Sequence, residues 1–275
     1  MLPHPFPLWT CVKAVRQTAP LVHNITNLVV MHTTANALLA FGASPVMAHA
    51  PEEMDEIASI ASALVLNIGT LSLPWIAAMK TALAKAKTHG IPIVLDPAGA
   101  GTSRLRTRTA LELMVSARVG KLVVRGNASE ILALAGEKAT TRGVDSTVAS
   151  SEASDVAIRL ARECSCIVCV SGAVDMVTDG KKTVQITGGH EMMTKVTGLG
   201  CAATALIGAV AGACPKINPL VTTTTAMAVT SAAGAIAQRI SSGPGTFLPA
   251  FLDALYSLRE EDLDLVSISV EIVPC

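Results

Sequence analysis

The residues best placed to do chemistry in this 275-residue chain lie in Lys195-Val-Thr-Gly-Leu-Gly-Cys201, which runs into an apolar, Ala-rich stretch. Glycines at 198 and 200 permit a sharp turn that gathers backbone N–H groups around an anion. A helix starting near Cys201 would add its positive dipole end. Such a hole suits a phosphate, and the charge that develops as a phosphoryl group moves. The spacing is neither G-x-x-x-x-G-K-[ST] nor a dinucleotide fingerprint, and a Gly-x-Gly before a helix also serves simple close packing. Asp96 and Glu130 as Mg²⁺ partners, with Arg125 as a phosphate clamp, add weight to the anion reading.

These residues need elements to bring them together. Short β-branched runs at 21–25, 64–67, 91–95, 122–124 and 167–170 alternate with longer helical stretches. Helices are expected at 29–40, ended by Gly42, at 52–62 behind Pro51, and at 73–88, ended by Gly90. Further helices are expected at 107–117, 129–134, 152–163, 201–213 and 220–240. This alternation means βαβ units, hence a mainly parallel central sheet covered on both faces in three α/β/α layers. Asp179-Gly180, between runs at 174–178 and 183–186, reads as the turn of one antiparallel hairpin.

Ligands of open parallel sheets bind at the carboxyl ends of the strands. Thr26-Asn27, Asn67-Ile-Gly-Thr70, Asp96-Pro-Ala-Gly-Ala-Gly101, Arg125-Gly-Asn-Ala-Ser-Glu130 and Ser171-Gly172 follow strands in this way. Each alone reads as a turn or a helix cap; together they line one sheet edge with polar groups.

Composition narrows the classes. Twenty-one Lys and Arg balance 21 Asp and Glu, which argues against a nucleic-acid binder, since phosphate neutralisation needs surplus base. Hydrophobic residues reach 51% and mean hydropathy is +0.52, ample for a core. No linker or composition shift falls mid-chain, so one domain over 1–275 is expected. Between Val196 and Gln238 the only charge is Lys216, but Ala, Gly and Thr dominate and two prolines interrupt. Two buried core helices are therefore expected rather than a membrane hairpin. Residues 1–9 hold three prolines and no basic region, so no signal peptide is expected and a cytoplasmic location is the default. Seven cysteines without framework spacing fit reduced thiols. Cys164, Cys166 and Cys169 enter an apolar run with no fourth ligand nearby, and a buried structural role is expected for them.

Leu21-Val-His-Asn-Ile-Thr-Asn27, Ala43-Ser-Pro-Val-Met47, Leu95-Asp-Pro97, Arg125-Gly-Asn-Ala-Ser-Glu-Ile131, Thr194-Lys-Val-Thr-Gly-Leu-Gly-Cys201 and Gly243-Pro-Gly-Thr-Phe247 together resemble the hydroxyethylthiazole kinases. These are thiamine-salvage enzymes of the ribokinase-like superfamily, and the match runs in order over almost the whole chain. The resemblance implies phosphorylation of 4-methyl-5-(2-hydroxyethyl)thiazole by Mg-ATP, in a homotrimer with active sites between subunits. It implies that Asn27 and Met47 line the thiazole pocket and that the Gly198 backbone sits against the hydroxyethyl group. By the same resemblance Arg125, Ser171, Asn127 and Gly200 serve the nucleotide, while Asp96 and Glu130 surround the metal, partly through water. Cys201, the catalytic candidate, stands where the wider superfamily carries an aspartate base, and a cysteine there is typical of the thiazole kinases.

Two departures from the family pattern bear on the nucleotide. Leu199 replaces a usual Thr or Ala, so a larger side chain must find room beside the phosphates. Ser171-Gly-Ala173 replaces Thr-Gly-Glu, which keeps a hydroxyl and removes a carboxylate. The alternative readings are a ribokinase-like kinase of a hydroxymethylpyrimidine or pyridoxal-type alcohol, and a nucleotide-binding relative without turnover.

Overall fold

The computed structural model describes residues 5–118, 121–137, 141–142, 145–146 and 153–274. In chain order, α1 (Leu8–Thr18) leads to β1 (Leu21–Ile25), α2 (Met31–Phe41), β2 (Ser44–Val46), α3 (Met54–Ile60) and β3 (Ala63–Asn67). Then follow α4 (Leu73–His89), β4 (Ile93–Asp96), α5 (Arg104–Ser116), β5 (Leu122–Asn127) and α6 (Ala128–Leu134). Two short strands, β6 (Thr141–Arg142) and β7 (Asp145–Ser146), pair with each other. The chain continues through α7 (Ser154–Cys164), β8 (Ile167–Ser171), β9 (Val174–Thr178) and β10 (Lys182–Thr187). It ends with α8 (Leu199–Ala213), α9 (Pro219–Ile240), α10 (Pro244–Ser257) and β11 (Ser267–Ile272).

Among the described residues nine strands form one sheet in the order β11-β10-β9-β8-β5-β4-β3-β1-β2. From β8 to β2 every pairing is parallel, whereas β9, β10 and β11 run antiparallel to their neighbours. The parallel strands are apolar almost throughout because helices cover both of their faces. One face carries α1, α2, α8, α9 and α10; the other carries α3 to α7. The sheet is therefore mainly parallel and the architecture three-layered, as the alternation of elements implies.

The sequence pattern misses six elements, the two-residue strands β6 and β7 among them. β2 is only three residues with a proline, and β11 is an exposed edge strand although Ser267-Ile-Ser-Val-Glu-Ile272 alternates polar and apolar residues as a strand does. α1 buries Leu8, Cys11, Val12 and Val15, a helical stripe in a segment of mixed polarity, and α10 holds Pro249 in its interior. Boundaries move as well. β5 runs through Arg125 to Asn127, so both belong to the strand rather than to a following loop. The helix expected at 152–163 is α7, and residue 152 itself lies outside the described residues.

The apolar stretch forms α8 and α9. Helix α9 is long and apolar enough to cross a membrane, yet 83% of its apolar window is buried inside the fold, as a core helix requires. Cys164 and Cys166 pack on one face of the sheet and Cys169 on the other. Among the described residues no three His, Cys, Asp or Glu side chains cluster to hold a metal.

Candidate active site

Following the parallel strands in sequence, the order turns back at β1, which lies between β2 and β3. At such a switch point the loops leaving neighbouring strands diverge and open a crevice at their carboxyl ends. The residues at this edge are Asn27 just past β1, Met47 just past β2, and the terminal residues Asn67, Asp96, Asn127 and Ser171 of β3, β4, β5 and β8. Parallel register sets Asn67 beside Asp96 and Asn127 beside Ser171.

Helix α8 brings its N-terminus to this edge of the sheet. Gly198 caps it at φ 93°, a left-handed conformation that glycine adopts without strain. The first in-helix bond is from the Ala202 N–H to the Gly198 carbonyl, so the N–H groups of residues 199–201 have no acceptor within the helix. Gly200 lets Arg125 approach closely: a Cβ there would lie 2.9 Å from Nη1 and the guanidinium would have to shift. The guanidinium thus rests against the backbone of the loop, with cation and helix N-terminus facing the same space. Arg125 Nη2 donates to Ser171 Oγ at 2.8 Å, and its enclosed Nε has no partner among the described residues.

Beneath the helix lies a continuous lattice of side chains. Asn67 Nδ2 donates to Asp96 Oδ2 at 2.7 Å and to Cys201 Sγ at 3.2 Å. Asn67 Oδ1 accepts from Asn27 Nδ2 and from the Gly69 N–H, each at 2.9 Å. Asn27 Nδ2 also reaches Cys201 Sγ at 3.5 Å, and Thr204, one turn along α8, donates to Asp96 Oδ2 at 2.8 Å. Glu130 is held differently: Oε1 accepts from the Gly99 N–H and Oε2 from the Asn127 N–H, both at 2.8 Å.

Burial decides the charge states. It raises the Asp96 pKa against the pull of Arg125, Thr204 and Asn67. Burial, reinforced by Asp96, lifts Glu130 to about 7 although two backbone amides and Arg125 oppose the rise. Burial and then Asp96 push the Cys201 thiol up to about 12, outweighing Arg125, Asn67 and Asn27. A lowered thiol pKa from the helix N-terminus is therefore not what this site produces: near neutral pH Cys201 is a thiol. Burial works to lower the Arg125 pKa, yet the negative groups around it, Asp96 first, keep it raised.

A sequence model of the hydroxyethylthiazole kinase family matches residues 12–261. The chain belongs to this family. It is 56% identical over 262 residues to hydroxyethylthiazole kinase of Nitratidesulfovibrio vulgaris strain Miyazaki F, covering 95% of this chain and 97% of that one. The solved structure of the Pyrococcus horikoshii OT3 hydroxyethylthiazole kinase protein superposes with a TM-score of 0.86 at 41% identity, over 97% of this chain and 99% of that one. A pyridoxal kinase from Staphylococcus aureus shares the fold at a TM-score of 0.65 and 15% identity, over 92% and 100% of the two chains.

Placed in this family fold, Asn27, Asp96, Cys201, Gly198 and Gly200 gather at the α8 end, while Arg125 and Asn127 on β5, Ser171 on β8 and Glu130 in the first turn of α6 border it. Asn27 does not cap the next helix, which begins at Met31 behind Val30; its amide turns into the lattice instead. Asn127 uses its side-chain oxygen to cap α6, accepting from the Glu130 N–H at 3.0 Å. Met47 is half-buried just past β2, next to Ala48, whose carbonyl lies 2.8 Å from the buried His23 Nε2. The helix begins at Leu199 rather than at Cys201, and this resolves the size of Leu199. Its side chain is only 3% exposed and packs in the core on the α8 face, away from the polar sheet edge. Ala173 is exposed; the carboxylate near Arg125 on this side is Asp175, whose pKa burial raises to about 6.

Sequence reasoning gave no role to Asn67, Thr204, Arg106 or Asp175. Asn67 was visible as a strand-terminal polar residue, and Asp175 stands in the short hairpin after β8, where it accepts the Gly172 N–H at 3.0 Å; Thr204 and Arg106 carried no local signal, because long-range packing alone brings them into place.

Proposed function

We propose that this protein transfers the γ-phosphoryl group of ATP to the primary alcohol of 4-methyl-5-(2-hydroxyethyl)thiazole, a step of thiamine salvage. The observation that carries this reading is the meeting, in a chain of this family, of a helix N-terminus, Arg125 and the Asn27–Asn67–Cys201–Asp96 lattice at one sheet edge. In the proposal Arg125 and Ser171 hold the phosphates, with Asn127 and the Gly200 backbone beside them. Asn27, Met47 and the Gly198 backbone take the acceptor. Residues 1–275 act as one ribokinase-like domain in the cytoplasm.

The carboxylates fit a magnesium ion that takes most of its ligands from phosphates and water. Asp96 Oδ1 lies outside the bonds that fix Oδ2, and both Glu130 oxygens already accept from amides, which suits contact through water. When bound, Mg²⁺ supplies charge neutralisation at the β- and γ-phosphates. The chain's own work is positioning. The alcohol oxygen bonds to the γ-phosphorus, the bond to the β–γ bridging oxygen breaks, and ADP departs. The unpaired N–H groups of α8 face the charge that develops. A neutral Cys201 whose sulfur already receives two amide N–H groups is a poor proton acceptor. The alcohol proton therefore leaves late, to an oxygen of the transferred group.

The site is also proposed to lie between subunits of a homotrimer. Leu28 and Val29 beside Asn27, 66% and 67% exposed, and Leu73 at the start of α4, 78% exposed, leave an apolar rim for a second copy to cover. A coupled kinase assay over small heteroaromatic alcohols tests the substrate. Hydroxyethylthiazole should give the highest kcat/KM; a higher value for pyridoxal or hydroxymethylpyrimidine overturns the choice of acceptor. ATP binding without turnover of any of them returns the protein to a binding role.

A further inference from the structure

The guanidinium of Arg106, on the first turn of α5, binds three carbonyls from two different loops. Nη1 donates to Ala98 O at 2.7 Å and Ile68 O at 3.2 Å, and Nη2 donates to Gly69 O at 2.7 Å. Among the described residues no carboxylate pairs with it. A lone cation facing only carbonyls has one geometric consequence. In a planar trans peptide the N–H of the following residue points opposite to the carbonyl, so fixing the carbonyl fixes the N–H. Turning the Ala98 carbonyl towards Arg106 turns the Gly99 N–H the other way, onto Glu130 Oε1 at 2.8 Å. Turning the Ile68 carbonyl does the same for the Gly69 N–H, which meets Asn67 Oδ1 at 2.9 Å.

Two further observations show the loop built around this side chain. Gly99 has φ 76°, and a Cβ there would lie 2.9 Å from Arg106 Nη1. The next residue of α5, Thr107, accepts the Gly101 N–H on its hydroxyl at 2.8 Å. Adjacent residues of one helix therefore hold the segment after β4 at both ends.

We propose that Arg106 is a positioning residue that sets both poles of the active site at once, Asn67 through Gly69 and Glu130 through Gly99. It touches neither substrate nor metal in this scheme; it acts only by orienting peptide planes. The inference rests on the kinase reading for its kinetic consequence and on the hydrogen bonds alone for its structural one. A guanidinium fork can hold three carbonyls in fixed directions, which the point charge of lysine cannot reproduce.

The test compares wild type, Arg106→Lys and Arg106→Met. Hydrogen exchange without nucleotide, read by mass spectrometry on fragments spanning 68–71 and 98–101, should accelerate about 10-fold or more in Arg106→Met, with exchange of β4 and β5 unchanged. In the kinase assay kcat should fall roughly 100-fold for Met and about 10-fold for Lys at saturating ATP and acceptor, the size expected of a small misplacement. Unchanged exchange in both loops overturns the inference, and so does faster exchange with wild-type kcat, which would make Arg106 a brace without influence on the chemistry. Arg106→Lys keeps the charge and provides the reading if Arg106→Met unfolds. If the wild type prefers another alcohol, the substrate reading fails, but the same ratios measured on that alcohol still judge Arg106.

Discussion

The two carboxylates of the site are held in opposite ways. Asp96 is fixed by side chains, Asn67 from β3 and Thr204 from α8, and shares Asn67 with the Cys201 sulfur. Glu130 is fixed by backbone amides, those of Gly99 and Asn127, within a capping box that starts α6. The difference teaches where each pole is vulnerable. A single side-chain substitution can remove a donor to Asp96, whereas the donors to Glu130 survive any side-chain change that leaves the backbone in place. Both carboxylates are buried and both have raised pKa values, so burial rather than the type of donor dominates their ionisation.

Arg125 is the element common to both poles, since its charge lowers the pKa of each carboxylate. Removing it should have the largest effect. Arg125→Ala should reduce kcat/KM for ATP by on the order of 2–4 kcal/mol in transition-state stabilisation. Steady-state kinetics at varied ATP, with circular dichroism to verify folding, checks this; normal kinetics would return Arg125 to a structural pairing with Ser171.

At the side-chain pole, Cys201 should matter less. Cys201→Ala should lower kcat about 10- to 100-fold: it removes the sulfur that receives the Asn67 and Asn27 amides, while positioning and the helix N-terminus carry most of the catalysis. Cys201→Asp should keep or raise kcat, since a carboxylate accepts a proton more readily than a thiol pushed up to about 12. The order of kcat in the two variants is the measurement. A harmless alanine and a damaging aspartate would make Cys201 only a small residue in the first turn of α8.

The amide-held pole gives the smallest effect, in stability and in metal demand. Glu130 ionises at about 7 when folded against a reference of 4.5. A carboxyl whose folded pKa is raised binds more protons folded than unfolded between those values. Its contribution to stability is therefore fully present below about 4.5 and is lost as pH rises through about 7. Nucleotide-free protein should show this decline in Tm between pH 4.5 and 7, and Glu130→Gln should flatten it. The same variant should raise the Mg²⁺ concentration needed for half-maximal rate. An unaltered pH slope together with an unaltered Mg²⁺ requirement would show that Glu130 neither titrates in this range nor supports the metal.

Much of this protein is set by its sequence. Apolar runs ended by Asn67, Asp96 and Ser171 define strands with polar ends, and their alternation with helices makes the sheet mainly parallel. Gly198 and Gly200 announce a tight turn before a helix, because few residues other than glycine tolerate that conformation and that approach. The sequence pattern also favours a core over a membrane for the Ala- and Thr-rich stretch. Tertiary structure alone decided the contacts that depend on distance in the chain. Thr204 meets Asp96 across 108 residues, and Arg106 binds Ile68 across 38. Packing of α8 and α5 against the sheet brings these pairs together, and no local propensity encodes a partner so remote. Tertiary structure likewise decided that Leu199 turns into the core and that Cys201 stays protonated, because both follow from which atoms surround the side chain.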